Sequence, residues 1–164
     1  MYNKILAPLD GSKLSECSLA HVKEIAAGCQ VRDVILLTVI ERPPAVIVEY
    51  GSQTQIEEAF KQQENQQKQA KDSAEKYLTG ARATLIKQGI PVQNVIIEAE
   101  ENQSVAEVVL NYAEKNKIDL IVMSSHGRSG VTRWAFGSVA DRIVRHSKTP
   151  VLTIAPAGCR VQTT

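Results

Sequence analysis

A glycine-rich stretch late in the chain carries the residues best suited to chemistry. It follows the apolar run 119–123 and ends where helical spacing resumes. Glycines let backbone N–H groups approach a ligand, arginines supply positive charge, and a helix N-terminus attracts anions. The stretch combines these features in Gly127, Arg128, Gly130, Arg133, Gly137 and Ser138. Ser138 is predicted to cap the helix, with Asp141 three residues later as its capping partner. The pattern predicts a strand, a phosphate-binding loop and a helix.

A second polar group follows the first apolar run, where Pro8 and Leu9 lead into Asp10-Gly11-Ser12. In open α/β sheets, ligands bind outside the carboxyl ends of the strands. A carboxylate there can accept hydrogen bonds from a ribose or an adenine amino group, or hold a metal through water. The same residues are also ordinary turn and helix-capping chemistry. Both interpretations of Asp10 stay open at this point.

Other residues of the late loop suggest less specific roles. His126 has no serine, cysteine or carboxylate at a readable spacing to complete a nucleophilic site, so we expect it to support the loop. Arg133 is expected either to contact phosphate or to face solvent. Trp134 and Phe136 need cover, which the domain, a partner copy or a bound ligand can provide.

The surrounding elements must position these loops, and their pattern is regular. Segments with helical spacing alternate with apolar runs of strand length, and the runs are Lys4–Leu9, Val34–Ile40, Val92–Glu98, Asp119–Met123 and Val151–Ile154. Strands that alternate with helices predict a doubly wound α/β domain, with a parallel sheet covered on both faces. The first and fourth strands are predicted to flank the ligand edge.

Two stretches interrupt this plan. Residues 41–54 contain Pro43-Pro44 and Tyr50-Gly51-Ser52 and are predicted to form a long surface connection. Residues 61–71 are rich in Gln, Lys, Glu and Asn, and we interpret them as a projecting helix. We expect one domain over residues 1–156, followed by a frayed tail over 157–164.

Composition limits the range of partners. The chain has 164 residues and a net charge of +1, which argues against broad binding to nucleic acid or membrane surfaces. It contains neither an apolar run of about 18 residues nor a signal-peptide core, so we expect a cytoplasmic protein. The three cysteines, Cys17, Cys29 and Cys159, are widely spaced and suggest neither a disulfide framework nor a zinc site. We expect them to be small buried hydrophobes.

Taken together, the segment Ala7–Ser12 and the segment Met123–Val139 closely resemble the universal stress protein family, and the resemblance covers nearly the whole chain. The family's late motif is glycine, two residues, glycine, nine residues, glycine, then Ser or Thr. Gly127, nine residues, Gly137 and Ser138 match its second half. Ser124 stands where nucleotide-binding members carry the first glycine.

The resemblance implies a five-stranded, Rossmann-like domain that holds ATP or AMP across its strand ends, with Mg²⁺ or Mn²⁺ as an optional companion. By this resemblance, Asp10 faces the adenine or ribose, and Val39 contacts the adenine ring. Arg128 neighbours the phosphates. The complete implied site is Pro8, Leu9, Asp10, Val39, Met123, Ser124, Gly127, Arg128, Gly130, Gly137, Ser138 and Val139.

Two functions remain open. One is a regulatory protein of the stress response that binds adenine nucleotide as a homodimer, with slow or no hydrolysis. The resemblance implies pairing through the last strand, Val151–Ile154, and a bare apolar edge strand favours such pairing physically. The other is a dimeric interaction module of the same fold that works without nucleotide, which Ser124 favours. An ATP-using enzyme is disfavoured because the chain shows neither a lysine-bearing phosphate loop nor a clear base.

Overall fold

The computed structural model describes residues 2–42, 53–126 and 136–155. Within them, strands and helices alternate along the chain as expected. The strands are β1 (Lys4–Pro8), β2 (Asp33–Ile40), β3 (Val92–Glu98), β4 (Leu120–Ser124) and β5 (Val151–Ile154). The helices are α1 (Lys13–Cys29), α2 (Gln53–Ile86), α3 (Val105–Lys115) and α4 (Ser138–His146).

The strands form one parallel sheet in the order β3-β2-β1-β4-β5. The chain therefore builds outward from β1 in one direction and then returns to build outward from β4 in the other. β1 and β4 lie side by side, with Ile5 opposite Leu120 and Leu6 opposite Ile121. This confirms the predicted doubly wound fold, and it places the point of reversal between the two predicted strands.

Helices cover both faces of the sheet because successive strand residues point to opposite sides. Leu36 packs in a cluster with Val22 of α1 and Leu78 of α2. The next residue, Leu37, packs in a second cluster with Val109 of α3 and Ile143 of α4. The two helices that follow β1 and β4, α1 and α4, therefore lie on opposite faces, and a cleft opens between their N-termini.

Helix α2 is 34 residues long, which corresponds to about 51 Å at the usual rise per residue. Its buried residues are confined to the C-terminal half, where Ala74, Leu78 and Leu85 face the sheet. The polar segment 61–71 is helical, so the predicted projecting helix is confirmed. The predicted connection over 41–54 is too long, because α2 already begins at Gln53, and residues 43–52 lie outside the described residues.

The cysteines differ from expectation. Cys17 and Cys29 are only partly buried at the edge of the core formed with α1 and α2. Cys17 is disulfide-bonded and Cys29 is free, so the prediction of three unpaired buried cysteines is wrong for Cys17. Sequence spacing cannot exclude a disulfide, because the bond depends on how close two residues lie in space. No helix among the described residues has the length and apolar character needed to cross a membrane.

Candidate functional site

A cavity of about 280 Å³ lies at the carboxyl ends of β1, β2 and β4. Its size is close to the lower end of the range for small-molecule sites. Most of the predicted site residues line it together: Pro8, Leu9, Asp10, Val39, Met123, Ser124, Gly137, Ser138 and Val139. Gly127, Arg128 and Gly130, like Arg133 and Trp134, lie outside the described residues.

Sequence reasoning missed several further lining residues. They come from α1, β2, the residue directly after β2, α3, α4 and the turn after β4, and they are Ser15, Leu37, Glu41, Val105, Val109, Ser125, His126 and Ala140. Two of them could have been inferred from spacing. Leu37 lies two residues before Val39 and therefore on the same face of the strand, and Val105 lies one helical turn before Val109. Nothing in the sequence indicated that α3 would reach this cavity.

One group of lining residues forms an apolar slot. Leu37, Val109 and Met123 are almost fully buried and come from β2, α3 and β4 respectively. Val39 adds a partly exposed side chain near the end of β2. Such walls suit a flat apolar ring, whose burial removes apolar surface from water.

Asp10 is a polar residue of the cavity lining and forms a tight turn. Its Oδ1 accepts hydrogen bonds from the Ser12 backbone N–H at 2.9 Å and from the Ser12 hydroxyl at 2.6 Å. Ser12 in turn caps α1, because its Oγ accepts from the Ser15 N–H at 3.1 Å. Gly11 has a φ of 83°, which allows this turn without a Cβ clash. The interpretation of Asp10 as part of a turn and helix cap is therefore confirmed. The same residue also lines the cavity.

The N-terminus of α4 also lines the cavity. Gly137 is the N-cap, with φ −60° and ψ 155°, and its carbonyl accepts from the Asp141 N–H at 2.9 Å. The predicted cap by Ser138 with Asp141 is wrong, because Ser138 is already the first helical residue and Asp141 pairs with Arg145 at 2.9 Å. The first N–H groups of a helix lack intrahelical acceptors, so this end of the cavity attracts anions.

The turn after β4 connects these two parts. The Ser125 carbonyl accepts from the Gly137 N–H at 2.9 Å, which fixes the start of α4 against the end of β4. Ser124 is 5% exposed, and its Oγ accepts from the His126 N–H at 3.3 Å. The Ser125 Oγ lies 2.9 Å from His126 Nδ1, whereas the buried His126 Nε2 has no hydrogen-bond partner within residues 2–42, 53–126 and 136–155.

The charges along the cavity are unevenly placed. Asp10 and Glu41 are its acidic lining residues, and no Lys or Arg side chain is part of the described lining. The positive end of α4 and the His126 ring therefore supply the anion-attracting character of this part of the molecule. Phe136 precedes the helix and is 46% exposed, so the described domain leaves it partly uncovered. Residues 2–42, 53–126 and 136–155 contain no group of three or more His, Cys, Asp or Glu side chains placed to hold a metal ion.

Comparison with known proteins identifies the family. The sequence model of the universal stress protein family matches residues 1–155. The chain belongs to the universal stress protein family. Universal stress protein MJ0531 from Methanocaldococcus jannaschii is 30% identical over 156 residues, covering 94% of this chain and 82% of that protein.

Solved structures of universal stress proteins share the fold. The structure of MJ0577 from the same organism has a TM-score of 0.76 at 26% identity and covers 94% of this chain and 96% of its own. A family member from Arabidopsis thaliana, solved with AMP bound, has a TM-score of 0.59 at 14% identity and covers 93% and 90%. The resemblance found in the two sequence segments is thus confirmed, as is the α/β fold that it implied.

Proposed function

We propose that this universal stress protein binds an adenine nucleotide, ATP or AMP, in the cavity between β1 and β4. The observation that carries the proposal is that one cavity is lined both by the apolar slot and by the N-terminus of α4. The slot matches the flat, apolar face of adenine, and the start of α4 favours the negative charge of phosphate. The AMP held by the Arabidopsis relative is a property of that protein, and it is consistent with this assignment.

The polar groups of the lining determine the orientation of the ligand in this proposal. Asp10 accepts hydrogen bonds, so it suits the ribose hydroxyls or the adenine amino group. Phosphate is disfavoured beside two carboxylates, Asp10 and Glu41, and favoured at Gly137 and Ser138 on α4. Any Mg²⁺ or Mn²⁺ would enter with the phosphates of ATP, because divalent ions are commonly bound through one or two carboxylates and substrate phosphates.

The role of the bound nucleotide is regulatory in this proposal. The described lining contains no lysine and no pair of groups arranged to activate water, so binding itself is the function, with slow or no hydrolysis. We place this activity in a cytoplasmic homodimer of the stress response. The sheet supports pairing through β5, which is its edge strand and exposes 37% of Leu152.

The first experiment measures nucleotide directly. Mass spectrometry identifies any nucleotide released from the purified protein on denaturation, and calorimetry then titrates the emptied protein with ATP and AMP, with and without Mg²⁺. We expect adenine nucleotide in the released fraction, or a Kd in the micromolar range or tighter. A folded protein that releases no nucleotide and gives no heat would reject the proposal.

A matched pair of variants on α4 tests the location. Val139→Phe adds a ring to the cavity lining, whereas Val144→Phe adds the same ring at a position that is 42% exposed and outside the lining. We expect at least tenfold weaker nucleotide binding for Val139→Phe and a change below twofold for Val144→Phe. Equal effects of the two changes would place the ligand elsewhere.

One observation favours the second candidate, a dimeric interaction module that works without nucleotide. The Ser124 hydroxyl occupies the His126 N–H, so this backbone donor is not offered to a ligand. Both candidates require the dimer, which light scattering measures after Leu152→Asp. The matched control is Phe60→Asp on α2, which alters another exposed apolar residue, 56% accessible and far along the chain from β5. Dimer loss with Leu152→Asp alone supports pairing through β5, whereas an unchanged dimer rejects that interface.

A further inference from the structure

The His126 ring is held in place by its neighbours and has one nitrogen left over. Its Nδ1 lies 2.9 Å from the Ser125 Oγ, and its backbone N–H donates to the Ser124 Oγ at 3.3 Å. Its Nε2 is buried and has no hydrogen-bond partner among the residues that the structure describes. A buried polar atom without a partner carries a free-energy cost, so this atom of a residue that lines the cavity calls for an explanation.

The hydroxyl of Ser125 faces one of the two ring nitrogens. It lies 2.9 Å from His126 Nδ1, and the tautomer of the ring decides which of the two groups donates. When the hydroxyl donates, Nδ1 is the acceptor and the neutral ring carries its hydrogen on Nε2. In this tautomer the unpartnered Nε2 is a donor that needs an oxygen acceptor.

The position of this donor narrows the choice of acceptor. The carbonyl of Ser125 accepts from the Gly137 N–H at 2.9 Å, so the turn that carries His126 abuts the start of α4. His126, Gly137 and Ser138 line the same cavity. A ligand oxygen that lies between an imidazole N–H and a helix N-terminus is stabilised best when it is negatively charged.

We propose that His126 Nε2 donates a hydrogen bond to a phosphate oxygen of the bound nucleotide and thereby favours nucleotides over nucleosides. The inference rests on the proposed function, since it assigns one contact within that site. Ser125 acts as a positioning residue because it fixes the tautomer and the direction of the ring. In the described part of the lining, His126 contributes the sole side-chain N–H donor.

Two substitutions of His126 distinguish the contributions of the two ring nitrogens to nucleotide binding. An asparagine amide reaches approximately as far as Nδ1, and a glutamine amide approximately as far as Nε2. We expect His126→Asn to weaken AMP binding about ten- to hundredfold, the range for a hydrogen bond to a charged group. His126→Gln should recover most of that loss. His146→Asn makes the same change in the last turn of α4, outside the cavity lining, and should change the Kd by less than twofold.

Comparison of AMP with adenosine tests the phosphate assignment. Adenosine lacks phosphate, so its Kd should change by less than twofold between the wild type and His126→Asn. An equal loss of affinity for AMP and adenosine would overturn the assignment to phosphate and place the ring against the base or the ribose. Thermal unfolding of both variants controls for loss of fold.

Nuclear magnetic resonance of the wild-type protein provides a readout that requires no variant. The chain has three histidines, so ¹⁵N-labelled imidazoles give few signals, with His21 and His146 as internal references. We expect the tautomer with hydrogen on Nε2, and a shift of the His126 Nε2 signal when AMP is added. AMP binding without such a shift would overturn this inference and leave the proposed function standing. Absence of AMP binding to the wild type would reject both.

Discussion

Replacement of Asp10 separates a structural role from a binding role at the same carboxylate. Asp10→Ala removes the acceptor of two hydrogen bonds, from the Ser12 N–H at 2.9 Å and the Ser12 hydroxyl at 2.6 Å. Both bonds are partly exposed, so water replaces them in part, and the loss should be about 1–2 kcal/mol in total. For a domain of this size, that corresponds to a decrease in Tm of roughly 2–8 °C.

Asp10→Asn is the matched change, because the side-chain amide retains an oxygen that can accept from Ser12 while the charge is lost. We expect its decrease in Tm to be less than half that of Asp10→Ala. Both variants should lose nucleotide affinity, by about tenfold or more, if the carboxylate contacts the ligand as proposed. Differential scanning calorimetry measures the first effect, and isothermal titration calorimetry with ATP and AMP measures the second.

The predicted decrease in Tm and the predicted loss of nucleotide affinity can be contradicted independently of each other. An unchanged Tm for Asp10→Ala would refute the argument that this carboxylate stabilises the turn before α1. Full nucleotide affinity in both variants would refute its role in the site while leaving the turn argument intact. Weaker binding only in Asp10→Ala would show that turn geometry, rather than charge, carries the effect on the ligand.

Three further predictions concern residues around the sheet. Two backbone amides at the start of β1 donate to Asp119 at 2.8 Å and hold the pKa of its carboxyl below the usual range. Asp119→Ala should therefore cost about 1 kcal/mol at pH 7, and its difference from the wild type in urea titrations should shrink as the pH falls below about 4. Burial raises the pKa of Tyr77 to about 12, so the wild type should lose stability as the pH rises above about 10. Tyr77→Phe removes the titrating hydroxyl, so its stability relative to the wild type should rise by about 1 kcal/mol between pH 7 and pH 11, after allowance for the partial exposure of this side chain. Ser124→Gly should bind nucleotide several-fold more tightly in calorimetry, because it removes a side chain from the lining and frees the His126 N–H. An unchanged Kd would show that this side chain is no obstacle.

Much of the fold could be predicted because the signals are local. Each apolar run became a strand, since parallel strands that are buried on both faces consist of continuous Ile, Val and Leu. The polar segment 61–71 was interpreted correctly as helix, because glutamine, lysine and glutamate are good helix formers. The ends of the elements are predicted less accurately from sequence, as the early start of α2 at Gln53 shows.

The errors arose where local chemistry allowed two answers. Ser138 and Asp141 fit a capping box by spacing, yet Gly137 is the N-cap and the helix begins at Ser138, one residue earlier than the box requires. Spacing also gave no sign that Cys17 would be disulfide-bonded. In both cases the outcome depends on the path of the backbone in space. Short-range patterns of residue types do not determine that path.

The sequence by itself determined the order of strands and helices, the acidic turn at Asp10 and the anion-attracting start of α4, because these follow from short-range patterns of apolar, polar and capping residues. Only the tertiary structure decided that α3 adds Val109 to the slot and that His126, a lining residue, has a buried nitrogen with no hydrogen-bond partner in the described part of the chain. Those features require β1 and β4 to lie side by side with helices on opposite faces. Such an arrangement arises from packing between residues that are distant in sequence, and no local pattern records it.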